Sequence, residues 1–319
     1  MEKIELRRVR DFGALFNDGI AFIRVNFKSF FGVILVLAGP FIILTGLLSG
    51  YMQSIQSKLV SGSFFSSYFG GSPAGLLSAN FIGTLSIFLL IYLLTTLVTS
   101  ACVCLYLKAY DRSNRAELPL DKNSVSPFLA AASWRLFYNI LLLSLILVVG
   151  GAALTGIFVV LFMIPVLNVL FGIALVIGAL IALPVIFYLT YVANYIVIRD
   201  EVLITVAIRK AIDYMRGNFW WTWLLMFSLI IALSTISGLF SLPLSVLNIT
   251  KMFTRGSDPA GGSDSSIIYL IFGTLSMVAQ MLILVPLSTV FCVFNFHSHE
   301  EQSEGTGLLG RIDELDTDK

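Results

Sequence analysis

His297, His299, Glu300 and Glu301 stand close together near the C-terminal end of the 319-residue chain, in the run His-Ser-His-Glu-Glu. Imidazoles and carboxylates at this density could ligate a divalent metal. Alternate residues on an unanchored segment preorganise ligands poorly, so a solvated acidic tail over 298–319 is expected instead, with no metal. Cys102 and Cys104 sit two residues apart, an offset that turns them to different sides of a helix and argues against a redox pair. With Cys292 they lie in apolar stretches and imply no disulfide framework. No phosphate-cradling glycine loop, nucleophile elbow or His-Glu-x-x-His motif is present. Catalytic, cofactor-binding and metal-binding residues are therefore expected to be none, and the protein is not expected to be an enzyme.

The cations carry a different chemistry. Segments Gly19–Leu37 and Ala211–Leu229 align with Ile20 on Ile212, Arg24 on Arg216, Asn26 on Asn218 and Phe27 on Phe219. In each, an amphipathic stretch meets an Arg-x-Asn-Phe corner and runs into an apolar span. Arg24, Lys28, Arg209 and Arg216 are the candidate contacts to lipid headgroups, because a helix lying in the headgroup plane turns its cations toward anionic lipid. A weaker third copy runs through Val125–Asn139, with Trp134, Phe137 and Tyr138 but no such corner. Asp11 is placed to cap the first amphipathic stretch. Glu201, Thr205, Arg209, Asp213 and Arg216 form the polar stripe of the second.

These surface segments need spans to hang from. Hydrophobic residues make up 57% of the chain and charged residues 12%, against about 45–50% and about 25% in soluble domains. Residues 29–107 contain one charge, Lys58, and residues 136–198, 217–250 and 265–296 contain none. About 20 apolar residues cross a bilayer. The windows predict six spans, at about 29–51, 80–107, 136–163, 167–198, 219–247 and 267–296. The domain plan is an arm and interfacial helix over 1–28, a membrane domain over 29–297 and the tail over 298–319. The expected fold is all-α: three parallel repeats, each a cytoplasmic interfacial amphipathic helix followed by a hairpin of two transmembrane helices.

Orientation follows from Lys and Arg. The first arm, the gaps after spans two and four, and the tail hold 17 of them, whereas the other gaps hold Lys58, Lys251 and Arg255. That bias places both termini in the cytoplasm. The four Trp residues, Trp134, Trp220, Trp221 and Trp223, fall where spans three and five leave the same face, as an aromatic belt would.

Inside the spans, Asn139, Asn194 and Gln280 are the candidate polar contacts, read first as interhelical hydrogen bonds. Pro40, Pro184 and Pro286 predict kinks. Ala174, Gly178 and Ala182 form a small-residue stripe suited to close helix packing, within the chain or in a dimer. No Asp, Glu, Lys, Arg or His lies inside a predicted span, which argues against ion-coupled transport. Residues 52–79 and 250–266 are expected as outer loops.

The runs DFGALFNDGIAFIRVNFKSFFGVILVLAGP, AIDYMRGNFWWTWLL and EGTGLLGRIDEL resemble a group of bacterial six-span inner-membrane proteins. That group is similar to the membrane domain found N-terminal to some glycerophosphodiester phosphodiesterases. No segment matches the phosphodiesterase barrel, so the resemblance carries over no catalytic residue. It implies a multi-pass module of the bacterial inner membrane. The expected function is non-enzymatic: a lipid-associated or organising membrane module. The alternative is a permease for an apolar or lipid-like solute. Expected partners are membrane lipids and then other membrane proteins, with a homo-oligomer open and no nucleic acid.

Overall fold

Asp11 starts the first helix as expected. Its carboxylate accepts from the Ala14 N–H at 2.7 Å, and its carbonyl accepts from the Leu15 N–H at 2.9 Å. The computed structural model describes residues 4–69, 79–113, 120–139, 141, 165–254 and 263–305. Every regular element among them is helical: α1 (Phe12–Leu37), α2 (Gly39–Phe69), α3 (Ala79–Arg112), α4 (126–139), α5 (Pro165–Asp200), α6 (Ile204–Arg216), α7 (Phe219–Thr254) and α8 (Ser263–Glu304). A 3-10 turn at Lys122–Ser124 precedes α4.

Among the described residues, five helices are long and apolar enough to cross a membrane: Phe12–Leu37, Gly83–Arg112, Val176–Asp200, Phe219–Thr250 and Ile267–Glu304. The chain is thus an all-α polytopic membrane protein. Most of the span expected at 136–163 lies outside the described residues.

Three expectations need correction. The first helix does not begin at Ser29. The helix runs unbroken from Phe12 to Leu37, through Arg24-Val25-Asn26-Phe27, so the first Arg-x-Asn-Phe segment is helix interior and not a corner. Nothing in that segment breaks a helix, and the Asn26 side chain satisfies itself by donating to the Phe22 carbonyl at 3.0 Å. The interruption falls at Ala38, with Pro40 in the first turn of α2, where a missing N–H leaves no bond unmade. Second, 52–69 is not loop but the continuation of α2. Third, residues 298–304 are not tail but the last turns of α8.

The described residues form two compact units. The first comprises Met1–Phe30, Val103–Ile231 and Ser288–Lys319. In it α1 buries Leu15, Phe22, Asn26 and Phe30 along one stripe. Ile20 and Phe27 of the same helix are exposed. Phe22 makes edge contacts with Tyr110 of α3 and Phe294 of α8, at 4.9 and 5.6 Å between ring centres. Each such ring contributes about 1.5–3 kcal/mol relative to an exposed one. At Gly19 the space a Cβ would need is taken by the Phe291 ring, 2.5 Å away, so only glycine lets α1 and α8 approach this closely.

The second unit comprises Phe31–Cys102 and Ala232–Leu287. Its packing centres on Gly46-Leu-Leu-Ser-Gly50 of α2. A Cβ on Gly50 would stand 2.3 Å from the Leu270 carbonyl oxygen of α8, and one on Gly273 would stand 2.8 Å from the Gly50 Cα. This is the small-residue contact that lets helix backbones meet. Beside it the Thr45 and Thr95 hydroxyls of α2 and α3 are 2.6 Å apart, so that one donates to the other, and the Phe41 carbonyl lies 2.9 and 3.1 Å from them. The stripe Ala174–Gly178–Ala182 instead lies on an exposed face of α5.

Candidate functional site

The first unit gathers most of the protein's polar chemistry where α5 ends, α6 and α7 meet, and α8 ends. His297, Ser298, His299, Glu300 and Glu301 are each at most 4% exposed. The expected solvated run is therefore the buried end of α8. A buried polar group needs a partner, and partners come here from α5, α7 and the N-terminal arm.

Glu300 is held by Arg199 of α5 through two hydrogen bonds of 2.8 Å, one to each carboxylate oxygen. This fork-to-fork geometry is the strongest an ion pair offers. Arg199 also pairs with Asp200 at 2.7 Å and lies 5.0 Å from the Phe296 ring centre. Asp200 in turn receives Lys210 of α6 at 2.9 Å. His297 places Nδ1 2.9 Å from the second oxygen of Glu300 and Nε2 2.9 Å from the Tyr195 hydroxyl. A carboxylate only accepts, so Nδ1 carries the proton and Nε2 accepts from the tyrosine. A tyrosine, a histidine and a carboxylate in line would suit proton transfer. Tyr195 and His297 are both 0% exposed, however, so the array ties α5 to α8 without reaching a substrate.

The N-terminal arm closes over the same unit. The Arg10 guanidinium donates to Asp18 at 2.8 Å and to the Leu6 carbonyl at 2.7 Å, and it stacks 4.8 Å from the Phe294 ring centre. Burial lowers the Arg10 pKa, against the opposing pull of Asp18. The Arg10 N–H donates to Ser298 Oγ at 2.9 Å. Glu201, at the α5–α6 junction with φ 58, receives Lys108 of α3 at 3.2 Å and Arg135 of α4 at 3.1 Å. Those two hydrogen-bonded cations hold its carboxyl below the ordinary value, Arg135 contributing most.

At the α6–α7 turn, Asn218 donates to Gln302 at 2.6 Å, and Thr222 Oγ1 lies 2.8 Å from His299 Nε2. Asp213, Tyr214, Gly217, Asn218, His299, Gln302 and Ser303 line an open pocket of about 290 Å³ here. The second Arg-x-Asn-Phe segment is therefore a real corner, and its asparagine serves a different purpose from Asn26. Tyr214 donates to Glu304, and burial with that carboxylate beside it raises the phenol's pKa. His299 Nδ1 is buried without a hydrogen-bond partner. Both amide atoms of Asn295, one turn earlier on the same face of α8, share that condition.

The candidate headgroup residues lie in this unit. Arg24 and Lys28 on α1, and Arg209 and Arg216 on α6, are all exposed. On α6 the stripe Thr205, Arg209, Asp213, Arg216 is exposed, while Ile204, Ala207, Ala211 and Met215 are buried. Exposed rings and aliphatics accompany the cations: Ile20 and Phe27 on α1, Val206 on α6 and Trp220 on α7. Asn139 and Asn194 are buried in the first unit, and Gln280 in the second donates to Ser276 of its own helix at 2.9 Å. Among the described residues no group of three or more His, Cys, Asp or Glu is placed to hold a metal ion. Sequence reasoning missed Arg10, Tyr195, Arg199 and the Gly46/Gly50 contact. The glycine spacing of four was the one signal that could have found any of them.

The chain matches no protein-family model, no curated protein and no solved structure.

Proposed function

We propose that this polytopic membrane protein is a non-enzymatic module that organises lipid, or supports other membrane proteins, through the cationic surface of its first unit. One contrast supports this. Arg7, Arg10, Lys108, Arg135, Arg199 and Lys210 each sit in an ion pair. Arg24, Lys28, Arg209 and Arg216 are exposed, with no ion pair among the described residues, beside apolar side chains that are exposed too. Unpaired cations flanked by rings and aliphatics suit a headgroup layer, where the apolar groups enter lipid and the charges meet phosphate. In this reading α6 and the first half of α1 are interfacial. The plan has six spans in three repeats, both termini are cytoplasmic, and the membrane is the bacterial inner one. The likeness to the membrane domain of some glycerophosphodiester phosphodiesterases is kept as part of the same proposal.

The test is the lipid that co-purifies. Each cation near an anionic surface is worth about 1 kcal/mol, roughly fivefold in occupancy. Arg24→Ala with Arg216→Ala is expected to lower retained anionic phospholipid several-fold without loss of folding. Unchanged retention would sink the reading. A second reading, a permease for an apolar or lipid-like solute, draws on Pro184, Pro243 and Pro286, which each remove a backbone donor inside a helix. Reconstituted vesicles that show no uptake across candidate solutes would dismiss it.

A further inference from the structure

The pocket at the α6–α7 corner has a one-sided chemistry. Its lining contains one carboxylate, Asp213, and no Lys or Arg. Asp213 is exposed and makes no ion pair among the described residues. Asn218 spends its amide N–H on Gln302, which leaves its carbonyl oxygen to accept. Ser303 donates its proton to the Glu300 carbonyl, which leaves its lone pairs to accept. His299 is 3% exposed, and its Nδ1 has no partner. The pocket thus offers several acceptors and one carboxylate, with no cation in its lining.

We propose that this pocket holds a protonated primary amine, with Asp213 as counter-ion and Asn218 and Ser303 accepting from the ammonium. Two sources carry that group: the headgroup of an ethanolamine phospholipid, and a free soluble amine. The surroundings favour the headgroup. Arg216, exposed and next in sequence to Gly217 of the lining, is the nearest cation along the chain for a phosphate joined to the amine through two carbons. The proposal rests on the reading that this unit faces the headgroup layer, and it adds an amine site to the cationic surface.

The experiment is native mass spectrometry of the full chain in detergent, titrated with ethanolamine, choline and glycerol phospholipids of identical acyl chains. Choline lipid keeps the charge but has no N–H to donate. Ethanolamine lipid is expected to bind about tenfold more tightly than choline lipid. Asp213→Asn is expected to abolish that preference without weakening binding of the anionic glycerol lipid. Equal binding of the ethanolamine and choline lipids, or a preference that survives Asp213→Asn, overturns the proposal. Free ethanolamine separates the sources. Competition at concentrations equal to the lipid supports a soluble amine in the same site, and weaker competition supports the headgroup. If Arg24→Ala with Arg216→Ala leaves anionic lipid retention unchanged while the amine preference stays sensitive to Asp213, the cationic-surface reading fails and the amine site stands.

Discussion

Arg199 and Glu300 meet through two parallel hydrogen bonds of 2.8 Å across 101 residues of chain, with side chains only 9% and 5% exposed. Removing one partner of a buried ion pair strands the other, at a cost of about 3–5 kcal/mol. Arg199→Ala is expected to lower the melting temperature of the detergent-purified protein sharply, and Glu300→Gln less so, since the amide still accepts one bond. Replacing both together, Arg199→Met with Glu300→Leu, should recover most of the loss, because an apolar pair of similar volume has no charge to desolvate. A double variant no better than Arg199→Ala would mean that His297 or Asp200 depends on the pair more than the pair's own energy suggests.

Glu201 gives the pH dependence. Its carboxyl is held below the ordinary value by Arg135 and Lys108. A group whose folded pKa is depressed contributes stability above its unfolded pKa, and that contribution fades as pH falls through the folded value. Glu201→Gln should therefore melt below the wild type at pH 7, and the two curves should converge below about pH 4. Glu201→Gly should fall less than Glu201→Gln, since glycine relieves the φ of 58.

Gly50 has no room for a side chain. A Cβ there would lie 2.3 Å from the Leu270 carbonyl oxygen, a backbone atom that cannot turn aside. Gly50→Leu is expected to cost about 1–3 kcal/mol, read as a lowered melting temperature. Gly32 is the control, with nothing within 4 Å of the added atom. Gly32→Ala should be neutral or should stabilise by up to about 1 kcal/mol through helix propensity.

Topology is checked with single introduced cysteines. Cys102, Cys104 and Cys292 are buried and not disulfide-bonded, so background labelling should be low. A thiol at Asn123, exposed in the 3-10 turn, and one at Ser303 should react only from the cytoplasmic side; one at Ser263, where α8 begins, only from outside. The reverse pattern would invert the proposed orientation.

The spans were legible because an uncharged run of 20 or more residues has few other fates, and α3, α5, α7 and α8 follow such runs. Asp11 and the exposed stripe of α6 were legible because capping and helical periodicity are local. The end of α8 was not. Polar residues at 297–301 read as solvated unless their partners are known, and those partners are Tyr195, Arg199, Thr222 and Arg10, each at least 77 residues away. The length of α2 was hidden in the same way, since Gln53, Ser54, Gln56 and Lys58 look like loop although the backbone remains helical. The shared Arg-x-Asn-Phe residues could not say which copy turns. Asn218 leaves the helix to reach Gln302, and Asn26 stays in it.

The bond from Arg10 to Ser298 spans 288 residues. The first unit is thus assembled from segments that a ribosome delivers far apart in time. At about 5–20 residues per second, roughly 15–60 s separate their synthesis. Throughout that interval the arm has Asp18 but lacks Ser298 and Phe294, so its docking waits until the end of α8 is made. A stalled chain that ends short of Ser298 should leave residues 4–11 open to protease, and a full-length chain should protect them.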